Sequence, residues 1–156
     1  MEPSATSLQT LLRSAALAAE LLENACAPGS GDALRLEVVR MLARDLKEEL
    51  EALTTLVNGE TSAARVEGVE GALRAADAAN LAACTVPELL EGRVLEAVAA
   101  THLAAGAARA LGALVETNAE DAHEYHTPYA LKDARSAVWR AHLAARQVDE
   151  FLGRSG

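Results

Sequence analysis

A chain of 156 residues and 16.3 kDa is expected to form one domain, residues 1–156, with a core of its own. Its net charge of −9, with arginines dispersed among Glu and Asp, excludes a phosphate-backbone binder, which needs clustered Lys and Arg, so no nucleic-acid partner is expected. Only 3% of residues are aromatic and isoleucine is absent, while alanine and leucine dominate; that composition favours helix and leaves few groups for chemistry.

Alanine is the commonest apolar residue and adds little buried area per residue, and burial stabilises by roughly 25 cal/mol per Å². Self-association that covers further helix faces is the expected remedy, with a homo-dimer as the favoured partner state. Cys26 and Cys84 lack CxxC spacing, which argues against a disulfide scaffold or a cysteine zinc site and fits a reducing, cytoplasmic setting. Glu2 with no basic segment before the first apolar run, itself interrupted by Arg13 and Glu20, argues against a signal peptide.

The first helix is expected from about Ser4 to Ala25, with Leu8, Leu11, Leu12, Ala15 and Leu22 inward. Pro28-Gly29-Ser30-Gly31 reads as a loop, and Asp32 as the N-cap of the second helix. That helix carries Leu34, Val38, Leu42, Leu46, Leu50, Leu53 and Val57 at steps of four and three, taken as the clearest core seam. Asn58-Gly59 reads as a turn. A third helix starts near Thr61 or Ser62 and runs to about Cys84, with Val66, Val69, Leu73 and Ala76 inward. Thr85-Val86-Pro87-Glu88 has the pattern of a capping box, which would open a fourth helix reaching about Asn118.

Within that fourth helix the stretch Ala97 to Val115 is almost wholly apolar. A central Arg109 disfavours membrane insertion by about 2.5–3.5 kcal/mol, so the stretch is read as a buried helix with no membrane contact. Gly92, Gly106 and Gly112 mark places for bending or for close approach of another backbone. Thr127 and Pro128 suit the cap and first position of a fifth helix, whose seam is Leu131, Ala134, Val138, Ala141, Ala145, Val148 and Leu152. The expected fold is therefore all-α, an antiparallel bundle of about five helices.

Chemistry-bearing residues concentrate between Glu120 and Tyr129. Asp121, His123 and His126 have metal-ligand spacing, and Glu120 precedes His123 by three, but no second Glu-x-x-His accompanies them. The ordinary reading is a solvated turn, so neither a metal nor another cofactor is assigned. A ligand site would combine His123, Tyr125, His126 and Tyr129 with Arg135, Trp139 and His142, where an indole can stack a planar anion beside a guanidinium. The ordinary role for Trp139, the only tryptophan, is a large plug in the core or at a subunit interface. His102 is expected on the flank of the fourth helix, as a packed residue hydrogen-bonded to a carboxylate or a backbone group.

The order of the segments AALAAELLENA, ALRAADAANLAA and LEGRVLEAVAATHLAAGAARALGALVETN resembles the formiminotransferase-cyclodeaminase and methenyltetrahydrofolate cyclohydrolase family. The resemblance spans roughly 100 residues and implies a compact helical dimer with a folate-type ligand. The family's glycine-rich turn before its first helix corresponds here to Glu2-Pro3-Ser4-Ala5, and its aspartate at the start of the long helix meets Gly92-Arg93, so no catalytic residue is carried over. The leading expectation is a helical-bundle interaction module. The alternatives are a cyclodeaminase-like enzyme or folate-type binder, and a metal-binding bundle using His123 and His126.

Overall fold

The computed structural model describes residues 5–57, 64–119 and 128–155. Five helices pack against one another: α1 (Ala5–Ala25), α2 (Ala33–Leu56), α3 (Ala64–Thr85), α4 (Glu91–Ala119) and α5 (Pro128–Ser155). A single turn of 3₁₀ helix, Val86–Glu88, joins α3 to α4, and the described residues contain no strand. The expected turn at Asn58-Gly59 and the start of α3 at Thr61 or Ser62 lie outside the described residues.

Side-chain pairs set the directions. Glu20 meets Lys47, Glu23 meets Arg44, and Gln9 reaches the Thr54 carbonyl, so α1 and α2 run antiparallel. Arg74 pairs with Glu49 across α2 and α3, while Arg135 with Glu116 and His102 with Asp149 fix α5 antiparallel to α4. Helices α3 and α4 occupy the middle, each against several neighbours, and α2 sits at the edge, mainly on α1 and less extensively on α3.

The core is made chiefly of alanine. Ala72, Ala75, Ala76, Ala79 and Ala82 of α3 face Ala97, Ala100, Ala104 and Ala108 of α4, with Leu8, Leu12, Leu22, Leu50 and Leu111 as the larger fillers. Methyl-lined surfaces let helix axes come close, and at two places a side chain of the neighbouring helix fills the space that a glycine leaves. A Cβ on Gly71 would stand 2.4 Å from the Leu12 side chain, and one on Gly112 would stand 2.4 Å from that of Val138. The two threonine hydroxyls buried in α2 and α4 are satisfied within their own helices: Thr54 donates to the Leu50 carbonyl (2.8 Å) and Thr101 to that of Ala97 (2.8 Å). Of the three glycines singled out in α4, only Gly112 marks a close crossing; a Cβ on Gly92 or Gly106 would meet open space.

Asp32 caps α2 as expected, its carboxylate accepting from the Leu34 and Arg35 amides at 3.0 and 3.2 Å. The capping box at Thr85 does not form. Thr85 is still helical (φ −85°, ψ −28°), and its hydroxyl donates back to the Leu81 carbonyl at 2.6 Å, so it ends α3 instead of opening α4. Glu88, freed from the cap amide, pairs with Arg35. The chain turns there because Leu90 donates its amide to the Ser30 carbonyl, and Gly31 lies against Leu89 where a Cβ would meet the Glu88 carbonyl at 2.7 Å. Helix α4 consequently begins at Glu91, later than expected.

The larger correction concerns α2. Leu36, Val39, Ala43, Leu50 and Thr54 are buried, whereas Leu34, Val38 and Leu42 face outward. A helix turns about 100° per residue, so each step of four overshoots a full turn by about 40°. The row Leu34–Val38–Leu42–Leu46–Leu50 therefore spirals from the outer face to the inner one. Elsewhere most of the expected seams are buried, Leu8, Leu12, Ala15 and Leu22 in α1 and Ala134, Ala141, Ala145 and Val148 in α5; Leu11, Leu131 and Val138 are partly covered, and Leu152, expected inward, is exposed near the end of α5.

Helix α4 is long and apolar enough to cross a membrane by length and composition alone. Here Thr101, Ala104, Ala105, Ala107, Ala108 and Leu111 are covered by the helices around them.

The glycine geometry makes a paired prediction for thermal unfolding. Gly112→Ala must push against the stiff, β-branched Val138 and should destabilise by about 1–3 kcal/mol. Gly106→Ala, exposed in the same helix with nothing near its Cβ, should stabilise by about 0.5–1 kcal/mol.

Candidate functional site

Of the residues proposed from sequence as a ligand site, His123, Tyr125 and His126 lie outside the described residues, as does Asp121. The other four belong to α5. Tyr129 is exposed, and Arg135 forms an ion pair with Glu116 of α4 (Nε to Oε1, 2.7 Å). Trp139 stacks on His142 with ring centroids 5.9 Å apart and planes inclined by 30°. One turn on, Arg146 pairs with Glu150 at 3.0 Å. Residues 135, 139, 142 and 146 fall at helical spacing on one exposed face, so the ring pair is an open platform flanked by two engaged arginines.

Trp139 is 60% exposed, which removes it from the core. The reason is spatial. The inward side of α5 presents Ala134, Ala137, Ala141, Ala144, Ala145 and Val148, and the gap to α4 is closed by the Gly112–Val138 approach, leaving no volume for an indole. His102 has the carboxylate partner expected of it, with Nε2 3.2 Å from Oδ1 of Asp149, but it is exposed and not packed. Among the described residues no cluster of three or more His, Cys, Asp or Glu could hold a metal ion.

The surface that stands out is the outer side of α2. Leu34, Val38, Met41 and Leu42 are 83%, 57%, 56% and 47% exposed, on the side of the helix opposite Leu36, Val39 and Ala43. Scattered exposed leucines are ordinary; a contiguous row on one helix face is less so. Leu42 continues from this row into a groove of about 500 Å³ between α2 and α3, where Leu46 and Leu81 supply further apolar lining. The sequence signal was present: Leu34, Leu36, Val38, Val39, Met41, Leu42 and Ala43 make the first half of α2 apolar on two faces, while any one bundle contact needs only one.

Charges border the groove and tie three helices together. Arg74 is held by Glu49 (3.0 Å), Glu70 (3.5 Å) and Asp77 (3.5 Å), and Asp77 also takes Arg140 of α5. These side chains are partly solvated, so each pair contributes only about 0–1 kcal/mol and their main effect is to fix register. Cys84 opens onto the groove with its Sγ 4.0 Å from Oδ1 of Asn80. No histidine lines the groove. Its walls offer apolar area and largely paired charge, a combination suited to contact.

Compared with known proteins, the chain matches no protein-family model and no curated sequence.

The two thiols differ sharply. Cys26 is buried, and that desolvation raises its pKa from 9.0 to about 11, against a smaller lowering by Arg40 and a raising by Glu88. Cys84 is exposed. In native protein at neutral pH a thiol reagent should label Cys84 alone, with Cys26 reacting only after denaturation. Because the folded state keeps the Cys26 proton that the unfolded chain gives up, stability should fall as pH rises from about 9 towards 11. Cys26→Ala should flatten that part of the thermal-unfolding profile.

Proposed function

We propose that the chain is a self-associating helical module, cytoplasmic in setting, in which a second copy covers the outer face of α2. The observation that carries this reading is the row Leu34, Val38, Met41 and Leu42, left in water by a bundle whose own core is chiefly alanine. Complete burial of a large apolar side chain is worth about 1.5–3 kcal/mol, and these four are already part-covered, so a symmetric contact gains several kcal/mol from each copy. Association loses about 4–15 kcal/mol of translational and rotational freedom, which leaves affinity in the micromolar range or weaker. Such strength suits a module that assembles and disassembles with concentration. The mixed charges beside the row, Glu37, Arg40, Arg44 and Asp45, keep the uncovered face soluble.

A second reading, a binder of planar anionic ligands of folate type, is favoured by the Trp139–His142 ring pair and the arginines beside it. It separates from the first by location: ligand should protect α5, whereas self-association should protect α2. A thermal-shift series with folates should raise the unfolding temperature only if the second reading holds, since a ligand of the native state must stabilise it.

Light scattering across about 5–500 µM, a range spanning micromolar affinity, should show mass rising from monomer to dimer. Val38→Glu and Met41→Glu should abolish the rise. Because both side chains are solvent-exposed in the single chain, unfolding of the dilute protein should change by only about 0.5 kcal/mol. A monomer throughout that range contradicts the proposal.

A further inference from the structure

We infer that the two copies meet through α2 in antiparallel orientation, Glu37 of each chain pairing with Arg44 of the other; this rests on the self-association proposed above. Leu34, Val38 and Met41 are spaced by four and three residues, the step of a two-helix seam, and their outward exposure places that seam on the surface. Glu37 and Arg44 share one flank of it, seven residues apart. When two helices pair antiparallel about a two-fold axis, equal flanks face each other and residue order is reversed. With the axis near Arg40 and Met41, each Glu37 comes level with an Arg44 of the second copy, giving two symmetric ion pairs. Both side chains are available for this. Glu37 already holds Arg40 and Arg44 holds Glu23, yet Glu37 and Arg44 remain more than half exposed, at 51% and 55%.

The continuation of the same face decides against the parallel alternative. Beyond Met41 the seam positions are Asp45 and Glu48. Parallel pairing would set each against its own copy, carboxylate on carboxylate, and would put Glu37 opposite Leu42. Antiparallel pairing instead brings Asp45 and Glu48 level with the first turns of the other α2, beside its Leu34, where the helix dipole and first-turn amides favour negative charge. The occupant of the face is thus a second copy of this chain, and the sign pattern along α2 sets its direction.

Charge exchange tests the direction by sedimentation equilibrium. Glu37→Arg and Arg44→Glu should each weaken the dimer roughly five- to tenfold, and the double variant should return to within about threefold of the parent chain. Circular dichroism on each variant checks that the bundle is intact. In a Cys84→Ser background, oxidised Leu34→Cys alone should remain uncrosslinked, whereas a mixture of Leu34→Cys and Asp45→Cys chains should form a disulfide-linked dimer. A dimer that Leu34→Cys crosslinks to itself, or that the double charge exchange fails to restore, overturns the antiparallel assignment while leaving self-association standing. A parent chain that stays monomeric overturns both.

Discussion

Close helix approach through alanine and glycine governs this molecule. Where Gly112 meets Val138 and Gly71 meets Leu12, the backbones of neighbouring helices are separated by little more than one side chain. Alanine pays almost no side-chain entropy on burial, so such contacts form readily. They also remove little apolar area per residue, which limits the hydrophobic gain of the fold. The same closeness limits how many large side chains the interhelical space can take beyond Leu8, Leu12, Leu22, Leu36, Leu50 and Leu111. Trp139, Leu34, Met41 and Leu95 are all on the outside.

That limit links the packing to the function proposed. A bundle with roomier interfaces would have drawn its tryptophan and its surplus leucines inward and presented a polar exterior. This one leaves bulky residues outside on several helices, and they gather most densely on the first half of α2 and the outer side of α5. The α2 surface is the more apolar of the two and runs into the groove against α3. On α5 the rings are embedded among arginines and carboxylates. An edge helix held mainly by one neighbour is where a second layer of packing can be added without disturbing the core.

The helices themselves were legible in the sequence because alanine and leucine have strong helix propensity and because Asp32, Pro28-Gly29 and Pro128 punctuate clearly. Most of the α1 and α5 seams was legible too, since small and aliphatic residues recur there at steps of three and four, although Leu152 proved exposed. Helix α2 misled because a ladder of four-residue steps looks straight on paper and spirals on a real helix; adding Leu36, Val39 and Ala43 to the pattern would have revealed two faces. Thr85 misled for a different reason. A threonine followed by glutamate three residues later fits a cap equally well as a helix end, and the deciding contacts, from Leu90 to Ser30 and from Glu88 to Arg35, are long-range. For the candidate ligand site, helical spacing correctly grouped Arg135, Trp139 and His142 on α5, but spacing carries no information on whether a face looks inward or outward.

The central claim is that the face of α2 bearing Met41 is wet in a single chain and dry in the assembled one. The chain has only two methionines, Met1 and Met41, so a protein labelled at the methionine methyls gives a spectrum simple enough to follow one atom on that face. In the presence of a soluble paramagnetic agent, the Met41 signal should be strongly relaxed in dilute solution and should become protected as concentration rises. A Met41 methyl that stays equally accessible across the whole range would contradict the account.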